Sequence, residues 1–326
     1  MRTTRVIIGL SAAAALMLSG CGTTEDASGA DPAAANGGDP IRVTDSRGKE
    51  VKLDGPAERV AATEWNGVEH LVSLGVMPVG VSDIEGYGQW VSAAPLDDTP
   101  TDLGTRGEPS IDTLGSLDLD LVVVTDSLVE GALEQIESKV PVLVIEGGDA
   151  ENPIGSMFES LDLIAKATGT EDKAAQLKTE FDTRLAEGKA EVERLGAAGE
   201  QVAFSDAYVS SGSVSIRPFT KGSLVSAVFE RIGLGNAWPM EGDAAYGLAQ
   251  ADVEGLTQLP DVRFWYMAND AFGDPYADEL ADNAIWQNLP FVKSGKVERL
   301  PDSLWMFGGV KSMEQYVDAA IAALGH

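Results

Sequence analysis

The chain has 326 residues, 44% of them hydrophobic, which is length for about two domains and enough apolar material to give each a core. Its 23 basic side chains stand against 52 acidic ones, and the formal charge of −29 sets the surface against nucleic acid and anionic lipid as partners. A single cysteine excludes an internal disulfide.

Residues 1–20 read as a signal peptide: Arg2 and Arg5 form a basic start, and the apolar run Val6–Leu18 is too short to span a bilayer. The sequence Leu18-Ser19-Gly20-Cys21 resembles the lipobox of bacterial lipoproteins. That resemblance implies diacylation of the Cys21 thiol and cleavage before it, so that the protein is exported and held on the outer face of the cell membrane by a lipid anchor. The other reading is an ordinary signal peptide that contains a cysteine. Loss of residues 1–20 removes Arg2 and Arg5 and leaves a formal charge of −31. Residues 21–40 are mostly small and polar, cannot bury a core, and are expected to form a disordered linker.

Residues 41–150 read as an N-terminal α/β lobe. Ile41–Asp45 and Glu50–Leu53 flank Ser46-Arg47-Gly48-Lys49 as a hairpin. Val60–Thr63 is a strand, Val68–Leu74 an amphipathic helix ending at Gly75, and Val79–Ser82 a strand. Helices Ile111–Leu117 and Leu128–Ser138 alternate with the continuous apolar strands Leu121–Thr125 and Val142–Ile145. Such alternation implies a parallel sheet covered on both faces. Residues 151–198 read as a connecting helix opened by Asn152-Pro153, a rigid strut with a bend near Gly169. Residues 199–326 repeat the α/β pattern as a C-terminal lobe: strand Gln201–Ala207, helix Leu224–Ile232, strand Val262–Met267, helix Leu280–Leu289, a strand around Val297–Leu300 and helix Met313–Leu324. Ser110–Leu114 with Leu117 and Asp252–Leu256 with Leu259 share one signature, a capping residue and an acid in the first turn, Asp112 or Glu254. The same signature in both halves points to a pseudo-symmetric pair of lobes.

Catalytic chemistry is scarce. His70 and His326 are the two histidines, no serine nucleophile elbow is present, and a His/Cys metal site lacks ligands. Gly308-Gly309-Val310-Lys311-Ser312 has the look of a phosphate loop but not its glycine spacing. Aromatic residues are placed more tellingly. Trp65, Tyr87, Trp90, Tyr208, Trp238, Tyr246, Trp305 and Phe307 fall in loop-like, polar or Gly-rich surroundings in both halves, where α/β sheets bind ligands at the carboxyl ends of their strands. Each alone reads as core; together they favour a cleft. Arg106, among turn residues, either aims a guanidinium into that cleft or forms a surface salt bridge.

The stretches Val43-Thr44-Asp45, Arg59-Val60, Glu64-Trp65 and Leu103–Pro109, followed by Asn236-Ala237-Trp238, Trp286–Pro290 and Trp305–Gly308, resemble in order the iron–siderophore substrate-binding lipoproteins of ABC importers, the ferric hydroxamate-binding members in particular. The resemblance covers residues 41–326. It implies an α/β fold of two lobes joined by a long backbone helix, of the periplasmic-binding-protein-like, helical-backbone type, with a shallow cleft that moves little on binding. It implies a receptor, not an enzyme, that takes a ferric siderophore of hydroxamate type and needs no cofactor, because the iron arrives already chelated. Arg106 would hydrogen-bond the iron-bound hydroxamate oxygens, and Trp65, Trp238 and Trp305 would line the pocket; Arg217, outside the matching stretches, is a further candidate cation for the ligand. Phe307 stands where the family has a tyrosine, and Asp126-Ser127-Leu128 lacks another, so a more apolar cleft is implied. Asp112 and Glu254 would meet arginines of an ABC permease served by ATPase subunits, and the protein is expected to be a monomer. Cobalamin or haem is the alternative cargo; haem would want an axial residue such as Tyr87, Tyr208 or Tyr246.

Overall fold

A computed structural model of the chain describes residues 40–126 and 132–325. Cys21, the signal peptide, the linker and Ser127-Leu128 lie outside the described residues. The chain enters through an antiparallel hairpin, β1 (Ile41–Thr44) and β2 (Glu50–Leu53), in which Ile41 pairs with Leu53 and Thr44 with Glu50. It then winds β3 (Val60–Ala62), α1 (Trp65–Ser73), β4 (Gly80–Val81), α2 (Ile84–Trp90), β5 (Thr101–Asp102), α3 (Ile111–Ser116), β6 (Leu121–Thr125), α4 (Leu133–Glu137) and β7 (Val142–Ile145). The five strands from β3 to β7 form a parallel sheet of order β5-β4-β3-β6-β7. Strands β3, β6 and β7 are buried at every residue, which accounts for their unbroken apolar runs.

The segment expected to be one bent strut is instead two helices, α5 (Pro153–Thr168) and α6 (Glu171–Arg194), folded back on each other. Gly169 ends α5 in the left-handed conformation at φ 68°, a geometry that favours glycine and reverses the chain. Phe158 meets Phe181 at 5.5 Å between ring centroids, and Lys178 reaches back to Asp162. At 1.5 Å per residue α5 is roughly 24 Å long, enough to link the lobes by itself. It packs against β1, α1 and β7 on one side and the second lobe on the other, whereas α6 lies along the closing helix of the chain.

The second lobe comprises β8 (Gln201–Ser210), β9 (Ser213–Pro218), α7 (Leu224–Arg231), β10 (Gly235–Asn236), a 3-10 turn (Gly255–Gln258), β11 (Arg263–Met267), α8 (Pro275–Asp278), α9 (Ala284–Asn288), α10 (Pro290–Lys293), β12 (Val297–Arg299) and α11 (Val310–Leu324). Its parallel strands run in the order β10-β8-β11-β12, and β9 returns antiparallel on β8. Leu280–Leu289 is thus not one helix: Asn283 caps a new start by accepting from the Ile285 and Trp286 N–H groups. In each sheet the strand order reverses beside the first strand, between β3 and β6 and between β8 and β11. Those reversals are where a crevice opens at the carboxyl ends of the strands.

Candidate ligand-binding cleft

The two reversals share one cavity of about 750 Å3, within the range of small-molecule sites. From the first lobe it is walled by Glu64 and Trp65 after β3, Trp90 at the end of α2, Arg106 after β5, Thr125 and Gly147; from the second by Asp206–Val209, Arg217, Tyr246 and Met267–Asn269, with Phe272 and the segment Trp305–Phe307. Trp65, Trp90, Arg106, Tyr208, Arg217, Tyr246, Trp305 and Phe307 are therefore brought together as expected.

Two expected residues stand elsewhere. Tyr87 is buried behind the wall, its hydroxyl donating to the Ala94 carbonyl at 2.6 Å and its ring edge-on to Trp65. Burial pushes its hydroxyl well above the ordinary tyrosine range, and its role is to back the wall. Trp238 belongs to the core of the second lobe, where its indole N–H donates to the Phe204 carbonyl at 2.8 Å. A tryptophan after a Gly-Asn pair reads like a loop residue in one dimension. Here Gly235-Asn236 is the edge strand β10, and the chain dives under the sheet after it.

The aromatic wall is continuous. Trp305 stands edge-on to Trp65 at 4.8 Å and to Trp90 at 6.2 Å, and meets Phe307 at 5.2 Å; Phe307 in turn meets Tyr246 at 5.6 Å. Trp90 of the first lobe stacks on Phe272 of the second at 5.7 Å. Phe272 is 64% exposed, and a lone phenylalanine after Asp270-Ala271 carries no sequence signal for a site. The Trp305 indole N–H and the Thr125 hydroxyl, both buried in the wall, have no partner among the described residues.

Each arginine is held between a carboxylate and an aromatic face. Arg106 donates through Nε and a terminal nitrogen to the Glu64 carboxylate, at 2.8 Å for the shortest contact, and its guanidinium carbon lies 4.0 Å from the Trp65 ring centroid. The two readings of Arg106 are thus both realised, since the salt bridge faces the cleft. Arg217 donates to Asp206 and lies 5.3 Å from the Phe307 ring. Burial raises the carboxyls of Glu64 and Asp206 above the ordinary range, against the pull of their arginines. Glu64 is the residue from which α1 begins. The second pair follows from register. β8 and β9 form a hairpin whose Ser211-Gly212 turn has φ of 52° and 79°, which suits the twist of the strands and sets Asp206 directly opposite Arg217. Sequence reasoning missed this hairpin, although Ser-Gly between the alternating runs around Val209 and Val214 is its signature.

Below the cleft, Gly308-Gly309 does seat an acidic group, the chain's own Glu69. The Glu69 carboxylate of α1 accepts from the Ser312 N–H at 2.9 Å and from its hydroxyl at 2.6 Å, capping α11, whose own cap residue, Gly309, offers no side chain. A Cβ on Gly308 would meet Glu69 Oε2 at 2.2 Å, so the pair of glycines is what admits α1. Among the described residues no three His, Cys, Asp or Glu side chains gather as a metal site, and no helix is long and apolar enough to cross a membrane.

Residues 60–304 match the model of the periplasmic binding protein family. The chain belongs to that family. Its members are solute-binding receptors, not enzymes, of the α/β two-lobed type described above. The chain is 26% identical over 267 residues to the iron(3+)-hydroxamate-binding protein FhuD of Escherichia coli, covering 82% of this chain and 87% of that one. It is also 26% identical over 310 residues to the Fe(3+)-citrate-binding protein of Bacillus subtilis, covering 92% and 90%. Among solved structures, the siderophore-binding protein FhuD of Vibrio cholerae with Fe3+–Desferal bound superposes with a TM-score of 0.73 at 23% identity, over 82% of this chain and 97% of that one.

Proposed function

We propose that the protein is the extracytoplasmic receptor of an ABC importer, that it captures a ferric siderophore of hydroxamate type in the cleft, and that it hands the complex to a membrane permease. The observation that carries this reading is the cleft itself. The edge-on tryptophans offer large apolar contact to the aliphatic parts of a chelate, while the two guanidiniums supply donors for iron-bound oxygens, which carry partial negative charge. The cleft's polar groups suit a ligand that brings its iron fully coordinated. The relatives named for hydroxamate, citrate and other siderophores support the class. Attachment through Cys21, in a chain whose relatives include a probable siderophore-binding lipoprotein of Bacillus subtilis, is part of the proposal, as is function as a monomer.

Permease docking is assigned to Asp112 and Glu254. Both are exposed, one on each lobe, and each follows a cleft-lining residue, Arg106 or Leu248, by six positions. Ser110 caps α3 in front of Asp112 through the Thr113 N–H. Glu254 instead precedes a four-residue 3-10 turn, so a helix dipole gives little reason for an acid there.

The test is titration of the soluble body with ferric hydroxamates, ferric citrate, a ferric catecholate, haem and cobalamin, read by quenching of Trp65, Trp90 and Trp305. Hydroxamates are expected to bind tightest. Arg106→Ala is expected to weaken them by about 1.5–3 kcal/mol, roughly ten- to hundredfold, the worth of a hydrogen bond to a charged group. Tighter binding of any other class would overturn the ligand assignment, and equal binding by the variant would remove Arg106 from the site.

A further inference from the structure

We infer that Glu64 and Asp206 are charge-selecting residues of the cleft: by pairing Arg106 and Arg217 they leave neither arginine free, and they fit the site to neutral or cationic ferric complexes while setting it against anionic ones. The inference rests on the reading of the cleft as a siderophore site and adds to it the charge of the ligand.

Three observations carry it. The first is pairing on both lobes. The Glu64–Arg106 and Asp206–Arg217 bridges hold carboxylate side chains only 7% and 10% exposed against arginine side chains 31% and 35% exposed. An exposed pair would be screened and worth little, but these carboxylates are fixed beneath the wall and cannot swing into bulk water. The second is the balance of the whole lining. Among the described residues its cations are Arg106 and Arg217, while its anions are Glu64, Asp206, Asp274, Asp278 and Glu279. Arg299 reaches Asp274 from behind and is itself shared with Asp270 and Asp302. The third is that the pairing is built in twice by unrelated means: a turn residue meets the residue ahead of a helix in one lobe, and cross-strand register does the same in the other. Each arginine keeps for ligand oxygens only the N–H groups not given to its carboxylate, and the faces of Trp65 and Phe307 hold it in place, but its long-range field is cancelled. A tris-hydroxamate core around ferric iron is neutral and satisfied by hydrogen bonds alone; a tris-catecholate core is strongly anionic and needs uncancelled positive field.

A series that varies charge on one iron core tests this: the ferric complex of Desferal with its free amine (cationic), the same complex N-acetylated (neutral), and N-succinylated (anionic). A unit of ligand charge roughly 12 Å from a net unit of site charge shifts affinity by about tenfold. The wild-type protein is expected to rank cationic and neutral forms above the anionic one by at least about tenfold at low salt, with the gap narrowing as salt is added. Glu64→Gln and Asp206→Asn, singly and together, are expected to shift the cationic-to-anionic affinity ratio toward the anion, most in the double variant. Should one single variant fail to fold, the other, read against the wild-type ranking and its salt dependence, still decides. Equal wild-type affinity for all three charges, or a ratio unmoved in folded variants, overturns the charge selection alone. Failure of every member of the series to bind overturns the hydroxamate reading beneath it.

Discussion

His70 lies in α1 with its ring wholly enclosed, and neither ring nitrogen has a partner among the described residues. Burial disfavours the imidazolium and lowers its pKa from 6.5 to about 4. A depressed folded-state pKa contributes stability that is fully present above the unfolded value and lost as pH falls, so the cost appears between about pH 6.5 and 4. At full size it amounts to about 3 kcal/mol. Replacement of both unsatisfied nitrogens by an apolar group of similar volume removes a desolvation cost. His70→Leu is therefore expected to be as stable as wild type at pH 7 or more so, and to lose less stability on acidification. Denaturant unfolding at a series of pH values checks this; parallel wild-type and variant profiles would refute it. Glu69 next door works in the opposite sense: burial raises its carboxyl, so its contribution is full at low pH and lost as pH rises through the raised value. The wild-type minus variant difference isolates the histidine.

At the scale of elements, the closing helix α11 is held by a cap from another element. Gly309 cannot cap it, and Glu69, distant in sequence, takes the Ser312 donors instead. Tyr316 of the same helix donates to the Trp305 carbonyl, so α11 also fixes the strip that forms the aromatic wall. Glu69→Ala leaves two buried donors without a partner and is expected to cost about 2–3 kcal/mol of stability. It should weaken ligand binding as well, because the Trp305–Phe307 segment loses its anchor. Thermal unfolding and ligand titration of the same preparation check both; a stability change within about 0.5 kcal/mol, the range of ordinary surface substitutions, would deny Glu69 this role.

At the scale of the whole molecule, the lobes are tied on both flanks of the cleft as well as through α5. On one side Asn269 and Ser303 donate to the Gln89 carbonyl at 2.9 Å, and Ser92 donates to that of Ser303. On the other the Ala150 N–H donates to the Ala244 carbonyl at 3.0 Å, and Gly148 lies against Tyr246. Such ties favour a cleft whose shape is alike empty and loaded, with Asp112 and Glu254, the proposed docking acids, held at a nearly fixed separation. An acidic surface also speeds encounter with a basic partner. Asp112→Arg with Glu254→Arg is accordingly expected to keep fold and ligand affinity while abolishing permease-dependent uptake of ferric siderophore at matched surface expression. Uptake at the wild-type rate would leave these acids as surface charge only.

The residues by themselves determined the α/β class, the parallel sheets and most of the cleft wall, because buried strands need continuous apolar runs and because strand-end tryptophans and an arginine among turn residues are local signals. Runs such as Leu121–Thr125 and Val142–Ile145 name their own environment. What tertiary structure alone decided are the choices that depend on partners far apart in the chain. Glycine at 169 is compatible with a bend or a reversal, and the packing of Phe158 on Phe181 selects the reversal. Trp238 and Trp305 look alike in sequence and are equally buried, and only the path of the chain sets one in the core of the second lobe while the other walls the cleft. Glu64, Asp206 and Glu69 carry no local mark of their roles, because a carboxylate in one dimension is a solvated charge until the fold brings an arginine or a helix end against it.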